Sequence, residues 1–238
     1  GDIVPNKQCY AHAFVILAAS SALTAGRPGA KELLEEALAV YDRHFWNEEE
    51  GLACDTWNTE FTVLDDYRGL NANMHTVEAF LAAGDVTGDK KYHIRAGRII
   101  DHVIQWAEDN SWRIPEHFTR EWVADLDCNR DRPDDPFKPY GATPGHGIEW
   151  ARLITQWTLA NCGEEKEKLE IHLQAAENLY TTAIKDGWNA DGAPGIVYTT
   201  DWNGKPVVHD RMHWTLAEAI NTLSLIHISE PTRPEPIS

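Results

Sequence analysis

The chain has 238 residues, 42% hydrophobic and 10% aromatic, enough for one sizeable packed domain. Its 38 acidic against 21 basic side chains give a formal charge of -17, which repels phosphate backbones and anionic lipid headgroups and argues against nucleic acid or membrane as partner. Four scattered cysteines, Cys9, Cys54, Cys128 and Cys162, form no Cys-x-x-Cys pair, so neither a zinc knuckle nor a disulfide framework is expected, and reduced thiols in the cytoplasm fit best.

No basic-then-apolar signal segment opens the chain, which starts at Gly1 and not at a methionine. Residues 8–25 are Ala-rich and apolar nearly all round, the pattern of a helix buried on most faces. Gly26, Pro28 and Gly29 stop it, and residues 30–46 follow with Leu33, Leu34, Ala37, Val40 and Tyr41 at helical spacing among charges, a one-sided outer helix. The hairpin of buried and amphipathic helices recurs. Residues 72–86 are apolar, a turn at Gly88 and Asp89 follows, and 90–109 carry Ile94, Ile99, Ile100 and Val103 among charges. Residues 147–161 are apolar and aromatic, Gly163 makes the turn, and 164–185 are Glu/Lys-rich with Leu169, Leu173, Leu179 and Ala183. A fourth inner helix begins near Met212. Excursions between hairpins carry turn chemistry and short β-prone pieces, at 46–51, 188–192 and 196–200.

Such repetition predicts an all-α fold, either an open solenoid or a closed double ring of helical hairpins; the long, varied loops favour the ring. Three and a half hairpins do not close one, so the chain reads as a fragment. After Leu223 the helical pattern gives way to a segment with three prolines, Pro231, Pro234 and Pro236. It resembles translated sequencing-adaptor read-through. Residues 1–223 are therefore expected to be a partial helical barrel domain and 224–238 a non-native tail.

Two histidines stand in matching contexts. Asn71-Ala-Asn-Met-His75-Thr-Val-Glu78 and Thr143-Pro-Gly-His146-Gly-Ile-Glu149 each lead from a loop into a helical pattern, which predicts both imidazoles in or near a first helical turn, at the same end of the array. A carboxylate three residues on shares the helix face and can orient the ring. Imidazole populates both protonation states near neutrality, so this is acid–base chemistry in outline. The bland alternative is a capping or core histidine. For His12, His44, His93, His102 and His172, mid-helix on mixed faces, that reading prevails, and His117, His209 and His213 have weak claims. Trp106 and Trp157 read as core. The acidic pairs Asp65–Asp66 and Asp125–Asp127 lack the spacing of a metal loop, so no metal and no cofactor are expected.

The stretches 68–80, 141–150 and 195–208 resemble the N-acylglucosamine 2-epimerase superfamily, most of all its bacterial aldose–ketose isomerase branch, which includes sulfoquinovose- and mannose-isomerising enzymes. The resemblance extends over about residues 5–223. It implies a closed ring of six hairpins, His146 as catalytic acid/base and His75 as a second essential histidine. It further implies that Asn71 hydrogen-bonds sugar hydroxyls, that Tyr10 and Glu149 line the same pocket, and that Trp214 flanks a monosaccharide substrate. The family's other acid/base histidine, in C-terminal hairpins, and an N-terminal substrate-binding arginine have no counterpart here, so the chain alone is expected to be inactive. Where the sulfoquinovose branch carries an arginine before the Thr-Pro-Gly-His motif, this sequence has Pro136, with Lys138 nearby. Lysine lacks the two-pronged guanidinium geometry, so mannose-type sugars become at least as plausible as sulfoquinovose. The resemblance implies cofactor-independent interconversion of an aldose and its ketose through an enediol(ate). The competing readings are a C2 epimerase, a non-catalytic sugar-binding fragment and an inverting glycoside hydrolase, the last needing two carboxylates across a water and disfavoured by the histidine pair.

Overall fold

A computed structural model describes residues 5–163 and 165–229. Among them lie seven helices: α1 (Cys9–Thr24), α2 (Ala30–His44), α3 (Leu70–Thr87), α4 (Lys90–Asp109), α5 (Pro144–Asn161), α6 (Lys166–Gly187) and α7 (His213–Ser229). Eight strands of two or three residues decorate the connections: β1 (Lys7–Gln8), β2 (Trp46–Asn47), β3 (Leu52–Ala53), β4 (Thr56–Trp57), β5 (Arg68–Gly69), β6 (His117–Phe118), β7 (Thr199–Thr200) and β8 (Pro206–Val208). The fold is all-α, built from the hairpins α1–α2, α3–α4 and α5–α6 followed by α7. No described helix is long and apolar enough to cross a membrane.

The chain forms two compact units, one of Gly1–Asp109 with Pro115–Gly141, the other of Asn110–Ile114 with Ala142–Ser238. In the first, α1 packs on α2 and α3, and α3 on α4. Met74, Val77, Phe80 and Ala83 of α3, and Ile99, Ile100 and Val103 of α4, are fully buried, at the helical spacing that the sequence shows. In the second, α5 packs on α6 and α7; Ile148 and Ala183 bury together with Ala219 and Ile196.

The long helices that open each hairpin share one way of starting. None has a side-chain N-cap bond. Each is instead entered from an antiparallel pairing with a loop: β1 with β4, β5 with β6, and Ala142 with Thr200. The pairing delivers a backbone carbonyl to the first helical amide, Asp55 to Cys9 at 2.8 Å and Glu116 to Leu70 at 3.0 Å. Pro144 at the start of α5 has no amide to satisfy. This arrangement corrects two boundaries. Helix α3 starts two residues and α5 three residues before the predicted 72 and 147, because a tertiary carbonyl or a proline replaces the local cap that sequence reading looks for.

Two further expectations change. α1 is not buried on most faces, since Tyr10, Phe14 and Val15 are exposed along one side, and α7 likewise leaves Leu216, Ile220 and Leu223 open. α7 also runs six residues past the predicted end at Leu223, to Ser229; the prolines from Pro231 onward lie outside the described residues.

Asn73 ties the first excursion to α3: its Oδ1 accepts from Ala53 N at 2.9 Å and its Nδ2 donates to Ala53 O at 3.0 Å, all buried. Asn73→Ala orphans both backbone groups. We expect it to lower unfolding free energy by about 1–3 kcal/mol in urea titration, with far-ultraviolet circular dichroism unchanged.

Candidate active site

The predicted site residues fall into two sets, one in each unit. In the first, His75 lies in the second turn of α3, one turn later than expected because the helix begins at Leu70. It is half-buried. Its Nδ1 is 3.2 Å from Glu78 Oε2, the i,i+3 contact expected from the spacing. An ionised carboxylate only accepts, so Nδ1 carries the proton and Nε2 of the neutral ring is left as the basic nitrogen. The rings of Tyr10, edge-on at 5.1 Å, and Phe14, at 4.7 Å, pack beside the imidazole from α1. Tyr10 is thus beside His75. Asn71, one turn earlier, has its Oδ1 buried with no hydrogen-bond partner. An unmet buried acceptor costs folding free energy, and a ligand hydroxyl would satisfy it.

Around the start of α3 stands a cluster that sequence reading missed. His117, of β6, is buried between two partners: Nε2 is 2.8 Å from the Pro139 carbonyl and Nδ1 is 2.8 Å from the Tyr67 hydroxyl. The carbonyl can only accept, so Nε2 donates to it and Tyr67 donates to Nδ1. Burial raises the Tyr67 pKa far above the ordinary phenol range, which keeps the hydroxyl protonated for this role. Lys138 places its ammonium 3.5 Å from the centre of the Tyr67 ring. Asp55 lies close by, its carboxyl raised above the usual range chiefly by burial, against the opposing pull of the Thr56 hydroxyl and of Lys138. The alternation of Glu116, His117 and Phe118 was the only sequence signal. A separate cavity of about 620 Å³ in this unit, lined by Trp46, Glu48, Trp57, Arg68 and Arg120, contains none of the predicted site residues.

In the second unit His146 occupies the first turn of α5, as expected, half-buried and inclined against Trp214 of α7 with ring centres 5.5 Å apart. Gly145 makes that approach possible: a Cβ there would sit 2.5 Å from the indole. Trp214 therefore stands beside the histidine, and is not simple core. Thr143, just before the helix, has a buried Oγ1 without a hydrogen-bond partner. Glu149 is buried and lies 3.5 Å from Arg152 Nη2; Arg152 in turn donates from Nε to Glu218 Oε2 at 2.6 Å and from Nη1 to Gln156 at 3.3 Å. Of this network only Glu149 stood out in the sequence; Arg152 and its α7 partner Glu218 did not. Breaking a buried ion-pair network leaves an uncompensated charge. Arg152→Met should therefore cost about 3 kcal/mol in chemical denaturation, whereas joint replacement of Arg152, Glu149 and Glu218 by apolar residues should recover most of that loss.

Residues 1–233 match the N-acylglucosamine 2-epimerase (GlcNAc 2-epimerase) family. The chain is 47% identical over 215 residues to a D-mannose isomerase of Pseudomonas cannabina pv. alisalensis, covering 90% of this chain and 52% of that protein. It is 44% identical over 232 residues to a D-mannose isomerase of Thermobifida fusca, covering 93% and 54%. A crystal structure of D-mannose isomerase superposes with a TM-score of 0.86 at 31% identity, over 94% of this chain and 56% of that one. The chain spans about half the length of the curated relatives it matches.

Proposed function

The chain belongs to the N-acylglucosamine 2-epimerase family, and from that premise we propose that the whole protein is a sugar isomerase interconverting an aldose and its ketose, with D-mannose and D-fructose as the pair. The observation that carries this reading is the His75–Glu78 contact. It leaves Nε2 to take a proton, in a chain 47% and 44% identical to relatives named D-mannose isomerase.

In the reaction, a histidine takes the C2 proton of the open-chain aldose while the C–H electron pair forms the C1=C2 bond and O1 gains a proton. The enediol(ate) then takes a proton at C1 from the protonated histidine, while the O2 hydroxyl gives up its proton and the C2–O bond becomes the ketone carbonyl. A positioned acid–base group contributes ~10²–10⁴-fold, and hydrogen-bond donors can neutralise the developing oxyanion without a cofactor. We assign these proton transfers to His146 and His75, with Glu78 fixing the tautomer of His75. Glu149, held by Arg152, lines the sugar site; Trp214 offers a flat apolar face to sugar C–H groups, and Asn71 Oδ1 accepts a hydroxyl.

Lys138 favours a neutral sugar over sulfoquinovose. Its ammonium is engaged over the Tyr67 ring, and it cannot present the paired donors with which a guanidinium grips a sulfonate.

In the whole protein, His75→Ala and His146→Ala should each lower turnover of D-mannose by at least ~10²-fold with melting temperature near wild type, and EDTA should leave the rate unchanged. Near-normal turnover in either variant would reduce that histidine to a structural role. Activity lost to EDTA and restored by a divalent ion would replace the metal-free mechanism.

A further inference from the structure

We propose that Asp55 is a substrate-binding residue whose Oδ2 accepts a hydrogen bond from a hydroxyl of the bound sugar at the start of α3. The assignment rests on the sugar-isomerase reading and extends it to a residue outside both histidine motifs.

Position comes first. The Asp55 carbonyl receives the amide of Cys9, the first residue of α1, at 2.8 Å. Its carboxylate reaches the start of α3: a Cβ on Gly69 would lie 2.7 Å from Asp55 Oδ2 and 3.0 Å from the Tyr67 hydroxyl. One residue therefore touches the starts of both helices that carry the first unit's site residues, Tyr10 on α1 and Asn71 and His75 on α3. With no side chain at Gly69, the Asp55 carboxylate and the Tyr67 hydroxyl close directly onto its backbone, so the two oxygens converge at the helix start.

The chemistry of the converging atoms selects the ligand. Asp55 Oδ1 accepts from the Thr56 hydroxyl at 2.8 Å, which fixes the carboxylate plane. Oδ2 has no hydrogen-bond partner among the described residues. Tyr67 spends its proton on His117, so its oxygen offers lone pairs only. Two residues into the helix, Asn71 Oδ1 is buried and also unmet. One buried unmet acceptor beside two oxygens with acceptor capacity to spare suits a ligand edge rich in O–H groups, which a polyol provides. Burial, the largest influence, and Asp65 pull this carboxyl toward its protonated form, against the Thr56 hydroxyl, Lys138 and Arg68.

The protein holds this carboxylate against its own stability. Burial raises the Asp55 pKa, so the fold favours the protonated form: that contribution is full below the unfolded-state pKa and is lost as pH rises through the folded-state value. At neutral pH the charged group is a net cost. A group retained at such a cost is explained by a ligand that hydrogen-bonds to it.

The test uses Asp55→Asn and Asp55→Glu in the whole protein. D-mannose isomerisation kinetics, mannose binding by titration calorimetry and thermal melting are measured together. A hydrogen bond to a charged group makes ~10–100-fold in affinity. Asp55→Asn should thus raise KM and Kd about tenfold or more, leave kcat within about threefold, and melt at or above the wild-type temperature. Asp55→Glu should recover part of the loss. Across monodeoxy mannoses, the sugar lacking the contacted hydroxyl should bind wild type and Asp55→Asn equally weakly, a coupling that a structural role would not produce. Wild-type KM and Kd in Asp55→Asn, or a loss that tracks lowered melting temperature with no deoxy-sugar coupling, would overturn the assignment while leaving the isomerase reading intact. A wild-type protein that isomerises no aldose would overturn that reading instead, and the calorimetric comparison would still decide Asp55.

Discussion

The structure depends on how its inner helices begin. A helix start exposes amide groups that need acceptors, and a site built at such starts cannot fill them all with local side chains without blocking itself. Here the first amides of α1 and α3 are met by carbonyls from the excursions, Asp55 and Glu116, delivered by two-residue antiparallel pairings. α5 opens on a proline after the Ala142–Thr200 bridge. The local side chains are left for other work: Asn71 and Thr143 keep unmet oxygens, and His75 and His146 sit one or two turns in. The short strands are the fixtures that set where each helix begins, hence where each imidazole stands.

Within each unit, neighbouring side chains orient the imidazole to which proton transfer is assigned. Glu78 fixes the proton on His75 Nδ1, Tyr10 and Phe14 limit its rotation, and Trp214 does the same for His146 through the gap left by Gly145. Arg152 couples Glu149 of α5 to Glu218 of α7, so the carboxylate three residues after His146 is positioned by the helix that also carries Trp214. Acid–base catalysis needs such restraint, because a proton donor misplaced by an ångström loses much of its effect.

The sequence made the helices legible because their periodicity is dictated by cores that alternate every three to four residues, as Phe80, Ile99 and Val103 show. It made the two histidine–carboxylate spacings legible for the same reason: i and i+3 share a helix face. Boundaries at Leu70 and Pro144 were missed because their caps come from residues such as Glu116, or from no amide at all. The Tyr67–His117–Lys138 cluster joins segments far apart in the chain, brought together by the β5–β6 pairing and the His117–Pro139 hydrogen bond, which no local pattern announces. Exposed apolar faces on α1 and α7 escaped a reading that counted apolar residues without knowing their neighbours.

The central claim is that a histidine carries a proton, and no hydride moves, between C2 and C1 of a sugar. Isomerisation of D-mannose by the whole protein in D₂O, with fructose analysed by NMR, tests it most directly. Proton transfer through an imidazole that exchanges with solvent predicts deuterium at C1 of the ketose. Complete retention of the original C2 hydrogen at C1, in a reaction that stops when divalent ions are chelated, would contradict the account.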